Sequence, residues 1–151
     1  DEGKYAEAEP LIRRALEIRQ KLLGSEHPSV ATSLDNLAVL LKDQYKYAEA
    51  EILFRRALAI REKLLGQDHP DVALGLNNLA LLLTDEGKFN EAEHLYRQAL
   101  AIREKLLGFE HPLVATSLNN LAELLKDQGN YAEAEILFRR ALAIREKMTL
   151  F

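Results

Sequence analysis

The chain contains no cysteine. That excludes disulfides, thiolate metal sites and a cysteine nucleophile together. It has no apolar run long enough to cross a bilayer and no signal-peptide pattern. It has no excess of positive charge: 20 Lys and Arg stand against 24 Asp and Glu, for a net charge of -4. A basic nucleic-acid footprint is therefore missing. Strand signals are absent too. So are a Ser-His-Asp constellation and a Gly-rich phosphate loop, and the carboxylates fall at repeated surface positions, so neither an enzyme nor a cofactor is expected. What remains is 151 residues, 48% apolar and 29% charged, enough for one ordinary domain with much to bury. A soluble, cytoplasmic chain is expected, with neither nucleic acid nor a membrane as partner.

Internal repetition organises everything else. His27-Pro28, His69-Pro70 and His111-Pro112 recur every 42 residues, as do Tyr5, Tyr47, Phe89 and Tyr131. Residues 25–66 and 109–150 differ at only nine positions. The chain reads as half a unit (1–24) followed by three full units (25–66, 67–108 and 109–151), forming a single array over 1–151. The opening "DEGKY" matches the middle of a later unit, as expected of a piece of a longer or designed chain.

Each unit carries two helical patterns. The first starts at proline, whose missing N–H costs nothing in the first turn. Val72, Leu76, Leu79, Ala80 and Leu83 share one face of it. It should stop near Gly87 or Gly129, candidates for a left-handed cap, with Gly3 in the same register. Tyr45 occupies that position in the first full unit, where a positive φ would strain it by about 1 kcal/mol. The second pattern begins at the aromatic residue and places Tyr47, Ala50, Phe54, Ala57 and Leu58 on one side. Glu51–Arg55, Glu93–Arg97 and Glu135–Arg139 are i,i+4 pairs in the favoured order. Gly24, Gly66 and Gly108 end these helices. One unit cannot bury its own apolar faces, so neighbours must stack.

Leu37, Ala38, Leu41, Tyr47, Ala50, Phe54, Ala57 and Leu58 follow the pattern of the tetratricopeptide repeat, which the chain resembles. Units two and three restore the pattern's glycine at Gly87 and Gly129. The 42-residue period, "HPxVAxxLNNLA" and "ALAIREKLLG" are similar to the kinesin light chain type of that repeat. The resemblance implies an all-α, right-handed superhelical solenoid of seven helices. First helices would line a concave groove and second helices a convex back.

Asn77 lies about 100° from Leu76 around a helix. It then shares a stripe with Leu74, Leu81 and Thr84. The resemblance implies that this stripe lines the groove and that the first amide of each "NN" pair contacts the backbone of an extended peptide. The corresponding residues are Asp35, Asn77 and Asn119. An amide offers donor and acceptor alike, whereas Asp35 loses the donor. Flanking residues would read side chains: Thr32, Val39 and Lys42 in the first unit, Leu74, Leu81 and Thr84 in the second, Thr116, Glu123 and Lys126 in the third. The groove should be more apolar in the middle and more charged at its ends.

Other features carry blander expectations. Asn36, Asn78 and Asn120 should bond to a neighbouring helix. The three histidines should serve helix entry, because residues one repeat apart cannot meet at the roughly 2 Å that a metal demands. His94 should be a convex-surface substitution, and the "FRRALAIREK" runs a solvated back. Some tetratricopeptide proteins clamp an acidic tail with groove Lys and Arg. Asp35, Asp43, Asp85, Glu123 and Asp127 oppose that here. The expected function is a protein-interaction scaffold holding a peptide. The alternative is a self-assembly module, a homo-oligomer built end to end through apolar terminal helices, including the departure at Met148, Thr149 and Leu150.

Overall fold

The histidine–proline pairs start helices for a local reason. In the computed structural model, which describes residues 2–150, His27 is extended (φ -87, ψ 146) and its Nδ1 accepts the Ser29 N–H at 3.0 Å. His69 and His111 accept the N–H groups of Asp71 and Leu113 in the same way, at 3.1 and 3.0 Å. Each imidazole thus satisfies a backbone donor that the first turn leaves open. This is the helix-entry role expected of them. Asp1 and Phe151, outer bounds of the first and last units, lie outside the described residues.

Seven helices follow: α1 (Glu2–Leu23), α2 (Pro28–Asp43), α3 (Tyr47–Leu65), α4 (Pro70–Asp85), α5 (Phe89–Leu107), α6 (Pro112–Asp127) and α7 (Tyr131–Thr149), with no strand among the described residues. The turn after α4 uses Gly87 at φ 80 and is closed by the Lys88 N–H donating to the Leu83 carbonyl at 2.8 Å. The turn after α2 makes the equivalent bond, Lys46 N–H to Leu41 O at 2.8 Å, with Tyr45 held at φ 63. Gly3 differs from expectation. It lies inside α1, which begins at Glu2, three residues before the aromatic start seen in α3. Without a preceding first-type helix to terminate among the described residues, nothing requires a left-handed residue there.

Two compact units form, Asp1–Gln67 and Asp68–Phe151. In the first, α2 packs against α1 and α3, and Val30, Ala31, Leu34, Leu37, Ala38 and Leu41 are fully buried. In the second, α4 pairs with α5, α5 packs on α6, and α6 pairs with α7. Leu118, Leu121, Ala122, Ala99 and Ala141 are fully buried there. Alanine keeps the helix axes close, and a larger side chain would force them apart. The outer faces carry ion pairs. Arg55, Arg97 and Arg139 reach Glu51, Glu93 and Glu135 at 3.1, 3.1 and 2.7 Å. Arg13 also reaches Glu49 on α3, and Arg97 reaches Glu133 on α7. Exposed pairs of this kind contribute about 0–1 kcal/mol each. His94 is exposed.

Candidate functional site

Asp35, Asn77 and Asn119 occupy one register on α2, α4 and α6. Each follows a fully buried alanine by four residues and precedes another by three: Ala31 and Ala38, Ala73 and Ala80, Ala115 and Ala122. On the other side of each stand the flanking residues at i-3 and i+4. The first amide therefore sits on the border between a buried strip and an exposed one, because helix geometry gives it neighbours on both.

In the first unit, Thr32 is exposed and donates its hydroxyl to Pro28 O at 3.3 Å. Val39 is 46% exposed and Lys42 is half-buried. Asp35 is tucked in, its side chain 14% exposed, and accepts from Arg61 Nη1 at 2.5 Å. Burial lifts the Asp35 carboxyl above its ordinary value, and the Arg61 hydrogen bond and charge pull it back.

In the second unit, Leu74 and Leu81 on α4 are 49% and 46% exposed, and Asn77 between them only 7%. Thr84 is half-buried, donates to Ala80 O at 2.8 Å, and shares a hydrogen bond with the Tyr96 hydroxyl. Burial pushes that phenol up to about 12. On α6, Thr116 is exposed and donates to Pro112 O at 3.3 Å, while Asn119 is half-buried. Glu123 and Lys126 are exposed and paired at 2.8 Å, the carboxylate raising the ammonium's pKa. The second amides behave unlike the expectation. Asn36 is exposed and Asn78 and Asn120 are half-exposed, with no hydrogen bond to a neighbouring helix among the described residues. Asn78 lies four residues after Leu74 and three before Leu81, which turns it outward with them.

An arginine recurs at 19, 61, 103 and 145, and sequence reasoning missed its role. Arg19 on α1 donates to the Ser33 hydroxyl on α2. Arg103 on α5 donates to Ser117 Oγ at 2.9 Å and Leu113 O at 3.3 Å on α6. Arg61 turns instead to Asp35. The sequence counterpart of Ser33 and Ser117 is Gly75, which has no side-chain acceptor. With Arg103 committed to α6, the Asn77 Oδ1 is buried and accepts no hydrogen bond. Within the "FRRALAIREK" runs the solvated back thus holds for Arg55, Arg139 and Arg145 but not for Arg61, whose side chain is 13% exposed, and in the matching "YRQALAIREK" run Arg103 is only 4% exposed. The signal was available: these arginines follow Ile60 and Ile102, which are buried positions, and recur in step with Ser33 and Ser117.

Helix pairs repeating every 42 residues define a helical-repeat protein. The tetratricopeptide repeat profile matches residues 71–147, and a second profile of the same description matches 1–29 and 30–71. The chain belongs to the tetratricopeptide repeat family, in its kinesin light chain-like form. Among solved structures it is similar to BtubC (BKLC) from P. vanneervenii, with a TM-score of 0.90 and 30% identity over 99% of this chain and 59% of that one. It is also similar to a kinesin-light-chain-like protein of Podosopora anserina with nearly identical TPR-like repeats, with a TM-score of 0.82 and 33% identity over 97% and 70%. The apo form of RapI shares the fold at a TM-score of 0.81 and 22% identity, over 97% of this chain and 51% of that one. The chain therefore spans only part of each of these proteins. No curated protein matches it. Members of this family are generally non-enzymatic scaffolds for protein–protein interaction. No helix among the described residues is long and apolar enough to cross a membrane.

Proposed function

We propose that the chain binds an extended peptide along the exposed stripes of its first-type helices. The observation that carries this reading is the pair Leu74 and Leu81, about half exposed on a helix whose other leucines are buried. Between them Asn77 holds a carbonyl with no partner. Leaving such an acceptor unsatisfied costs about 1–3 kcal/mol. A χ2 turn of the amide, met by a peptide N–H, would recover part of that. Asn119 serves the peptide backbone in the same register. Thr32, Val39 and Lys42, Thr84, Thr116, and Glu123 with Lys126 read side chains. Asp35 does not serve the backbone, because its carboxylate is occupied by Arg61.

A peptide-library screen tests this. The Asn77→Ala, Asn119→Ala double variant should lose selected ligands by about tenfold or more. Unchanged binding would discard the site. The second reading is end-to-end association of copies. It is favoured by Leu11 and Leu22 on α1, 70% and 78% exposed, and Leu142 and Met148 on α7, 56% and 50% exposed. Light scattering over a concentration series decides it: a constant monomer mass at high concentration removes it.

A further inference from the structure

Second-helix arginines make two kinds of contact in this fold, and Arg103 stands where either is in reach. In the first unit Arg61 donates to Asp35 of its own helix pair, 26 residues back, at 2.5 Å. Arg19 donates instead to Ser33 on the following helix, 14 residues on. Arg103 holds the same register on α5, and its acceptors stand at those same separations: Asn77 is 26 residues back and Ser117 is 14 on. The guanidinium takes the second. Its Nη1 donates to Ser117 Oγ at 2.9 Å and to Leu113 O at 3.3 Å. The Asn77 Oδ1 is thereby left buried with no hydrogen-bond partner among the described residues, on a side chain only 7% exposed. The Arg61–Asp35 bond shows that an acceptor in the place of Asn77 lies within an arginine's span.

We propose that Ser117 is a positioning residue for the peptide-binding reading, on which this inference rests: by holding Arg103 on α6, it keeps the Asn77 carbonyl open to a peptide N–H. Ser117 has no exposed surface, so it meets no peptide itself and acts through Arg103. Without the hydroxyl, only the Leu113 carbonyl would remain on α6. It is the longer of the two contacts and already belongs to the first turn of a helix. Arg103 is 4% exposed and cannot turn to water instead. A buried cation needs hydrogen bonds, and a buried carbonyl without a donor is costly in the same way. Each supplies what the other lacks. Arg103 would then close on Asn77 as Arg61 closes on Asp35. With the arginine forward, the Asn77 register offers an acceptor to a peptide backbone. With the arginine back, that acceptor is spent, as the Asp35 carboxylate is spent in the first unit. Ser117, out of sight of the groove, thus sets what the groove can accept.

A crystal structure of the whole chain carrying Ser117→Ala, without peptide, reads the direction of Arg103. An Arg103 Nη at about 3 Å from Asn77 Oδ1 is expected. An arginine that stays on Leu113 O, with Asn77 still unpaired, overturns the proposal. The second measurement is affinity for one probe, the tightest peptide recovered when the library is screened against the parent chain. Ser117→Ala should weaken its binding about fivefold or more. Adding Arg103→Met, which keeps an apolar stem and removes the guanidinium, should return the affinity to within about twofold of the parent. A merely structural serine would give no such rescue. Weakening that persists in the folded double variant, or Ser117→Ala binding like the parent, overturns the proposal. If the double variant unfolds, the direction of Arg103 in Ser117→Ala decides alone. A screen that yields no peptide sinks the groove reading, and the crystal structure still decides whether Ser117 sets where Arg103 goes.

Discussion

The unit 25–66 and the unit 67–108 follow one template, yet their second-helix arginines point to different partners. Arg61 goes to Asp35 in its own helix pair, and Arg103 goes to Ser117 on the next first-type helix. The difference follows the acceptors. Asp35 offers charge where Asn77 offers an amide, and a charged acceptor holds a guanidinium more strongly than a neutral one. Ser117, in turn, offers Arg103 a hydroxyl on α6. The register of Asp35 thus holds an internal ion pair, and that of Asn77 an unpartnered carbonyl. The turns differ as well: Gly87 takes its positive φ freely, and Tyr45 does not.

The largest effect should come from Arg103→Ala. It removes two hydrogen bonds from a buried cation and the packing of its stem, for a loss of about 3 kcal/mol by urea unfolding. A loss under about 1 kcal/mol would mean that the link to α6 contributes little. Asp35→Ala comes next, at about 2 kcal/mol, because it strands Arg61 in a mostly buried site. If that variant is as stable as the parent, the two units do not differ in the way described. Tyr45→Gly should gain about 1 kcal/mol by relieving the left-handed strain. Calorimetry would show the melting temperature rise, and a fall would assign Tyr45 a compensating contact, such as its edge-on packing with Tyr47 at 6.1 Å.

The smallest effect sharpens the comparison most. Burial raises the folded-state pKa of Asp35, so the native state binds that proton more tightly than the unfolded chain. This group's contribution favours the fold below its ordinary value and fades as pH rises through the raised one. Asp35→Asn removes that pH dependence. The difference in melting temperature, variant minus parent, should therefore grow more positive from about pH 3 to about pH 6. A flat difference would show Arg61 cancelling the burial entirely.

How much of this was legible is clearest residue by residue. The 42-residue period, the His-Pro helix starts and the glycine stops were readable because each rests on chemistry within a few residues. So was the strain at Tyr45, since the turn geometry follows from its position alone. The depth of Asn77 was not. A helical wheel places it beside Leu74 and Leu81 but equally beside Ala73 and Ala80, and only packing shows which side dominates. The outward turn of Asn78 and the burial of Arg103 were hidden for the same reason. Both depend on what stands across from them.

The sequence by itself determined that the chain is built of helix pairs in a fixed register, because apolar spacing, caps and turn residues act locally and repeat without ambiguity. Only the tertiary structure decided which polar side chain faces which. That choice is made between helices: an arginine arm reaches backward or forward according to the acceptors it meets in space, and those acceptors lie 14 or 26 residues away along the chain.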